Sequence, residues 1–415
     1  MRSGYPDISA VFLDPLVLGL ASASGSWANA VRQNPATNPG MLHVLPLHPS
    51  PSPVSLLSST IAIIVGIALL FGGGELFVAG SVALSLLLGI PQIVIGLTVV
   101  SLGTSAPELF VSLISTIQGN LGVAGGDDLA VSNIVGSNIF NVLVVLGLSA
   151  VIVPLRVKSR LVKRDVPLLL GVSMAVWGMA SGGRVTWQAG VALLVATVMN
   201  IIWEMRTAGE NPDEVSEIDE AERATPLVAG LKLAAGLVLL VVGSQLLVKG
   251  ATAVALSLGV STTVIGLTIV AAGTSMPELV TSLVAAYRGK ADLAIGNVVG
   301  SNLLNQLVIL GLCATVAGGR GLGVDPVMIQ RDLPIMVLTT IACLPIFWTK
   351  GVITRLEGAI LVLLYGAYLV EQLLVNTAPT YSDEFRLVVL VVLVPALLVF
   401  LVWQVLAWRE QRRLS

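Results

Sequence analysis

The chain has 415 residues, 55% of them hydrophobic and only 11% charged, with a mean hydropathy of +0.93. Soluble domains carry about 25% charged residues, so a water-soluble fold is excluded and an integral membrane protein is expected. A formal net charge of −2 gives no basis for a nucleic-acid partner, and the runs lack the strict alternation of a membrane β-barrel, which leaves an all-α polytopic class.

Residues 1–54 hold eight of the twenty prolines and read as a poorly ordered N-terminal extension, or as a start placed too far upstream. Within them Phe12–Ala28 faintly resembles a signal peptide, but Asp14 and Pro15 interrupt it. Apolar runs of about 20 residues then predict spans at 56–87, 93–117, 128–152, 165–182, 186–205, 227–258, 262–287, 293–316, 332–349, 353–375 and 387–408. Ten of them form two sets of five, over 55–206 and 227–376. The first helix of each set is expected to be interrupted by small residues, at "FGGGELFVAG" and "VVGSQLLVKG". The sets are joined by an acidic linker at 207–226, read as a solvated cytoplasmic connector. An eleventh span and a basic tail fill 377–415. Cys313 and Cys343 fall inside spans and read as small core residues. His43 and His48 precede the first span, so the membrane region has no imidazole ligand.

Placing the N-terminus outside puts fourteen Lys and Arg residues in cytoplasmic segments against six in external ones. The positive-inside rule therefore favours an external N-terminus and a cytoplasmic C-terminus.

One stretch repeats. Val94–Leu109, "VIGLTVVSLGTSAPEL", returns at Val264–Leu279 as "VIGLTIVAAGTSMPEL", with twelve of sixteen positions identical at an offset of 170. The copies lie five spans apart, so they cross the membrane in opposite directions. Two inverted five-helix repeats meeting near the bilayer midplane are the expected architecture. Each copy carries costly residues. Pro107 and Pro277 free the carbonyls of Gly103 and Gly273, and a midspan acid such as Glu108 or Glu278 costs roughly 2.5–3.5 kcal/mol. Helical spacing puts Ser101, Thr104, Ser105, Glu108 and Ser112 on one face, and Thr274, Ser275, Glu278 and Ser282 on its counterpart.

A second motif pair follows. "SNIVGSNIFN" (Ser132–Asn141) and "GNVVGSNLLN" (Gly296–Asn305) align Asn133, Ser137 and Asn141, and Asn297, Ser301 and Asn305, at every fourth residue. Asn133, Asn138, Asn297 and Asn302 fit either ligation or helix packing. Two carboxylates with hydroxyls, amide oxygens and freed carbonyls, and no sulfur or nitrogen donor, suit a hard cation such as Ca²⁺ or Na⁺. Glu75 has Gln245 as its repeat partner and reads as an accessory polar group, and Asp127 and Asp128 read as solvated at a loop edge.

"GTSAPEL" with "GSNIFN", repeated as "GTSMPEL" with "GSNLLN", resembles the paired α-repeats of the calcium:cation antiporter superfamily, closest to prokaryotic sodium/calcium exchangers. The resemblance covers residues 56–375. It implies alternating access in a multi-pass protein of the prokaryotic cell membrane, functional as a monomer and needing no cofactor. It implies that Glu108 and Glu278 hold Ca²⁺ with the Thr104 and Thr274 carbonyls. It implies Na⁺ sites that use Ser105, Ser275, Ser137 and Ser301, with the first and sixth spans sliding across a rigid remainder. Some relatives carry aspartate at one of the positions held here by Asn141 and Asn305; two neutral residues leave a core charge matched by one Ca²⁺ or two Na⁺ and argue against K⁺ coupling. Ser132 stands where the second repeat has Gly296, and the first repeat has six extra residues between its motifs.

An H⁺/Ca²⁺ antiporter using the same glutamates is the nearest alternative, and a passive cation channel a more distant one. No metalloprotease motif, nucleophile–His pair or ATP-binding loop is present, so an enzyme is not expected and transport should be secondary.

Overall fold

In the computed structural model, described over residues 53–123, 125–158, 161–207, 224–260, 262–389 and 391, the chain is helical apart from four two-residue strands. Helix α1 spans Pro53–Leu88. Next come α2 (Gln92–Thr104) and α3 (Ala106–Asn120), bent by 49° about Ser105, and then α4 (Gly126–Ile152). Strand β1 (Leu155–Arg156) leads through a π-turn at Leu161–Asp165 into α5 (Val166–Ala180). Strand β2 (Arg184–Val185) and α6 (Trp187–Thr207) close the first half.

The second half runs in the same order. It begins with α7 (Pro226–Ser257), α8 (262–273), α9 (Met276–Tyr287) and α10 (Ala291–Arg320). Strand β3 (Leu322–Gly323), α11 (Leu333–Lys350), β4 (Val352–Ile353) and α12 (Arg355–Thr377) follow. Helix α13 (Pro379–Val388) comes last. Among the described residues six helices are long and apolar enough to cross a membrane, and the bent α2–α3 pair makes a seventh if it is taken as one span. The chain is a multi-pass membrane protein. The N-terminal extension up to residue 52, nearly all of the acidic linker, and the eleventh span beyond residue 391 lie outside the described residues.

The long helices α1 and α7 are each continuous, so the expected interruptions at the small-residue segments do not occur. The glycines instead form a packing face. An ideal Cβ on Gly73 would lie 2.8 Å from Leu240 N and 2.9 Å from Gly236 O, and one on Gly66 would lie 2.7 Å from Leu247 N. Gly236 and Gly243 meet α1 with the same closeness from the other side. Glycine keeps helical geometry while removing the only atom that would hold the two backbones apart, so the sequence breaks a side-chain layer and not the helix.

Contacts recur in matched pairs. Gly147 of α4 abuts Gly358 of α12, and Gly311 of α10 abuts Gly190 of α6. The antiparallel pairs β1–β4 (Leu155↔Ile353) and β2–β3 (Arg184↔Gly323) each join a connector of one half to a connector of the other. Charged groups at helix ends are tied into clamps. Arg164 pairs with Glu204, donates to Asn200 Oδ1 at 3.1 Å, and lies 5.4 Å over the Trp203 ring. Buried Asp332 accepts from Arg331, Tyr368 and Gln372. Cys313 and Cys343 are buried free thiols, as expected of small core residues.

Asp127 corrects the solvated reading. It accepts Arg320 Nη2 at 2.8 Å and the Gly323 amide at 2.9 Å, and its side chain is only 17% exposed. Arg320 also donates to Asn120 Oδ1 at 2.6 Å, so one guanidinium ties the ends of α3, α4 and α10 together. Asp128, the next residue, is exposed as expected. The six extra residues are not confined to a loop: α3 has 15 residues against 12 in α9, and the connection that follows α3 carries Gly122 (φ +84°) and Gly125 (φ +82°) in turns that other residues disfavour.

Substituting Gly73→Ala should destabilise the purified protein by about 1–3 kcal/mol, because the new methyl meets backbone. Gly72→Ala, whose Cβ would meet nothing within 4 Å, should shift stability by less than about 0.5 kcal/mol. Thermal unfolding in detergent compares the two.

Candidate cation site

Each repeated motif breaks its helix one residue after the threonine. Ser105 (φ −81°, ψ 8°) and Ser275 (φ −89°, ψ 11°) leave helical geometry, and Pro107 and Pro277 sit second in the helices that restart. Proline is tolerated there because that position has no intrahelical acceptor for an N–H. The break also leaves carbonyls to be satisfied. The carbonyl of Gly273 accepts the Ser244 hydroxyl of α7 at 2.5 Å, the kind of partner that a freed carbonyl in lipid requires.

The restarted helices open on Glu108 and Glu278, both wholly buried. Each carboxylate is held by the serine at the other half's break. Ser275 Oγ donates to Glu108 Oε1 at 2.8 Å, and Ser105 Oγ donates to Glu278 Oε1 at 2.9 Å. Ser275 also lies 3.2 Å from Ser137 Oγ on α4. The two halves therefore share one cluster, and neither carboxylate environment is complete without the opposite half.

Two asparagines that helical spacing left open between ligation and packing make the next layer. Asn297 Nδ2 donates to Ser282 Oγ at 2.9 Å and to the Glu278 carbonyl at 3.3 Å, while its Oδ1 accepts Thr104 Oγ1 at 3.1 Å. Asn133 repeats this with Ser112 Oγ at 2.9 Å, the Glu108 carbonyl at 3.3 Å and Thr274 Oγ1 at 3.4 Å. With both amide ends occupied, these residues fix the threonines across the halves and hold the glutamate backbones. Their signal in the sequence was the same i, i+4 register that carries Ser137 and Ser301.

Several buried oxygens have no partner within the protein: Glu108 Oε2, Glu278 Oε2, Ser301 Oγ, and the amide oxygens of Asn141 and Asn305. Asn141 and Asn305 each open a π-turn, at Asn141–Leu146 and Asn305–Ile309, a local widening common at functional sites. All ten residues expected at the site lie on α2, α3, α4, α9 and α10 or at the two breaks, and hydrogen bonds join Ser275 to Glu108 and Ser137, and Ser105 to Glu278, as the two arms of the site. Thr104 and Thr274 are joined to it through Asn297 and Asn133, whereas Ser301, Asn141 and Asn305 make no side-chain bond. Glu75 is absent from the cluster and pairs with Arg288 instead.

No lysine, arginine or histidine forms an ion pair with either glutamate among the described residues, nor do three His, Cys, Asp or Glu side chains gather anywhere there. Buried anionic oxygens without a cationic side chain are costly unless a cation joins them. The donor set of carboxylate, hydroxyl and amide oxygen suits a hard ion.

A family model described as sodium/calcium exchanger protein matches residues 58–203 and 229–374. The chain is 32% identical over 334 residues to the inner membrane protein YrbG of Escherichia coli (strain K12), covering 77% of this chain and 100% of that one. It is 29% identical to the sodium/calcium exchanger MaX1 of Methanosarcina acetivorans, over 74% and 96%. A solved structure of the sodium-calcium exchanger NCX_Mj, soaked with 10 mM Na⁺ and zero Ca²⁺, superposes with a TM-score of 0.64 at 28% identity, covering 78% of this chain and 99% of that chain.

Asn297→Ala should weaken cation binding by about tenfold or more, since groups that orient ligands typically contribute 10–100-fold. Asn133→Ala should do the same, and calorimetric titration of the purified protein with Ca²⁺ checks both.

Proposed function

The chain belongs to the sodium/calcium exchanger family, and from that membership we propose that it exchanges Na⁺ for Ca²⁺ by alternating access at the Glu108–Glu278 cluster. The observation that carries this reading is the reciprocal pair of bonds Ser275–Glu108 and Ser105–Glu278 around two buried, partnerless carboxylate oxygens. Family membership already makes the protein a cation/calcium antiporter and not an enzyme.

In this reading Ca²⁺ is the divalent substrate at Glu108 and Glu278, helped by the carbonyls of Thr104 and Thr274. Na⁺ uses the same carboxylates with Ser105, Ser275, Ser137 and Ser301, and Asn141 and Asn305 complete the cage as neutral oxygen donors. Two formal negative charges balance one Ca²⁺ or two Na⁺. Loading either species excludes the other, and this shared demand for the same charge is what couples the fluxes. The Na⁺ gradient then drives transport without a cofactor.

The architecture proposed is ten membrane spans in two inverted repeats, 55–206 and 227–376, with the eleventh span as an addition and the N-terminus outside. One chain supplies both halves of the site, so a monomer suffices. The asymmetry of the packing supports alternating access. Gly74 of α1 lies against Val280 and Val284 of α9, which are each 5% exposed. In the exchanged position Phe110 of α3, the counterpart of Val280, is 63% exposed, and α7 makes no comparable packing with α3. Likewise α2 lies tightly on α10, where an ideal Cβ on Gly296 would sit 2.8 Å from Ile93 O. Gly96 of α2 meets Gly296 there, whereas its counterpart Gly266 of α8 has nothing within 4 Å, so Ser132 at the Gly296-equivalent position fits without a clash. With the N-terminus outside, the sealed flank faces the cytoplasm and the loose one the exterior.

Proteoliposomes holding an outward Na⁺ gradient should take up Ca²⁺, and Glu108→Gln or Glu278→Gln should each reduce uptake by at least about 100-fold, as expected when one of two shared charges is removed. Uptake driven only by a pH gradient would assign H⁺ as the coupling ion. Downhill Ca²⁺ flux with no counter-ion would overturn antiport.

A further inference from the structure

Helices α1 and α7 bind each other through their glycine faces along most of their length, and polar side-chain bonds tie this pair to the rest at particular points. Two of the side-chain links that do so are the bond from Ser244 Oγ to the Gly273 carbonyl and the pairing of Glu75 on α1 with Arg288 at the end of α9. Both lie beside the second repeated motif. At the offset of 170 the counterpart of Ser244 is Gly74, which has no hydroxyl. The counterparts of Glu75 and Arg288 are Gln245 and Gln118, which carry no charge. Both links are therefore absent from the symmetry-related position by composition.

In an inverted-repeat protein the second end state is reached when the two halves exchange conformations. The flank formed by α1 and α9, sealed here, would open, and that formed by α7 and α3 would close. Closing the second flank would bring glutamines together where the first brings an anion and a cation. We infer that Glu75 and Arg288 form a one-sided ionic latch, which makes the α1–α9-sealed conformation the resting state and sets the energetic difference between the two end states. The inference rests on the alternating-access reading above. It adds a determinant outside the ion site: a pair that touches no transported ion but governs which face the empty carrier presents.

Its effect is modest. The side chains of Glu75 and Arg288 are 40% and 57% exposed, and ion pairs of that exposure change an equilibrium by about two- to fivefold. A carrier needs a bias of that size, since a much stronger latch would trap one state.

Hydrogen–deuterium exchange of the full-length protein in nanodiscs tests the latch without transport. Glu75→Gln should raise deuterium uptake about two- to fivefold in α9 near residues 280–287 and lower it in α3 near residues 106–118, as one flank opens and the other closes. Glu75→Arg combined with Arg288→Glu should return both segments toward the wild-type values. Uptake unchanged in both segments would overturn the latch, and so would a rise in both, which marks general loosening. Na⁺-driven Ca²⁺ uptake is measured separately on the same variants. Its absence from the wild type would sink the exchange reading, whereas intact exchange with unmoved deuterium uptake would sink only the latch.

Discussion

Two carboxylates buried together, each with one oxygen lacking a partner, are the constraint around which the molecule is organised. A bilayer offers no water to such groups, and among the described residues neither a lysine nor an arginine pairs with them. The neighbourhood is instead arranged to hold them ready. The helix breaks at Ser105 and Ser275 aim hydroxyls at the opposite glutamates, and the prolines one step further fix where each helix restarts. Asn133 and Asn297 lock the backbones beneath. Removing any one of these would leave a charge with too few contacts, so the site and the folding of the surrounding helices are a single problem. Membership of the sodium/calcium exchanger family is what the proposed function joins to this arrangement.

The same molecule combines near-symmetry at the site with asymmetry around it. The bonds to the carboxylates are alike to within about 0.1 Å in the two halves, whereas the surrounding helices are tight on one flank and loose on the other. This division is what a carrier needs. A site built equally from both halves can persist while the walls exchange roles, as the proposed alternating access requires, and the glycine faces bring the backbones of α1 and α7 into direct contact. The clamps at Arg320, Arg164 and Asp332 tie the remaining helices together outside that pair. A small charge difference at Glu75 and Arg288 then suffices to choose between two nearly equal arrangements.

Much of the site was legible beforehand. Acids and prolines are expensive in a membrane span, and a repeated expense at a fixed offset has few explanations other than a shared polar centre. That Glu108, Glu278 and the serines beside them would meet was therefore readable from spacing alone. The amides were less so: Asn133 and Asn297 on one side, and Asn141 and Asn305 on the other, share the same i, i+4 register. Only their neighbours reveal that the first pair is fully bonded and the second is not. Asp127 was misread for a related reason, since its partner Arg320 lies 193 residues away and no local pattern announces it. The small-residue segments of α1 and α7 were misread as interruptions because glycine in a sequence signals either a weak helix or a close neighbour, and the neighbour is remote.

By itself, then, the sequence determined the membrane class, the doubling of the motif, and the chemical character of the site, because each follows from the cost of placing polar groups in an apolar solvent. That cost is local to a residue and independent of partners. Tertiary structure alone decided which serine serves which glutamate, which asparagines are spent on support, how α1 and α7 join, and which flank is closed. Those outcomes depend on distances between residues far apart in the chain. Two halves of similar sequence pack into different surroundings, and a repeat that looks the same when read along the chain becomes two unlike flanks once folded.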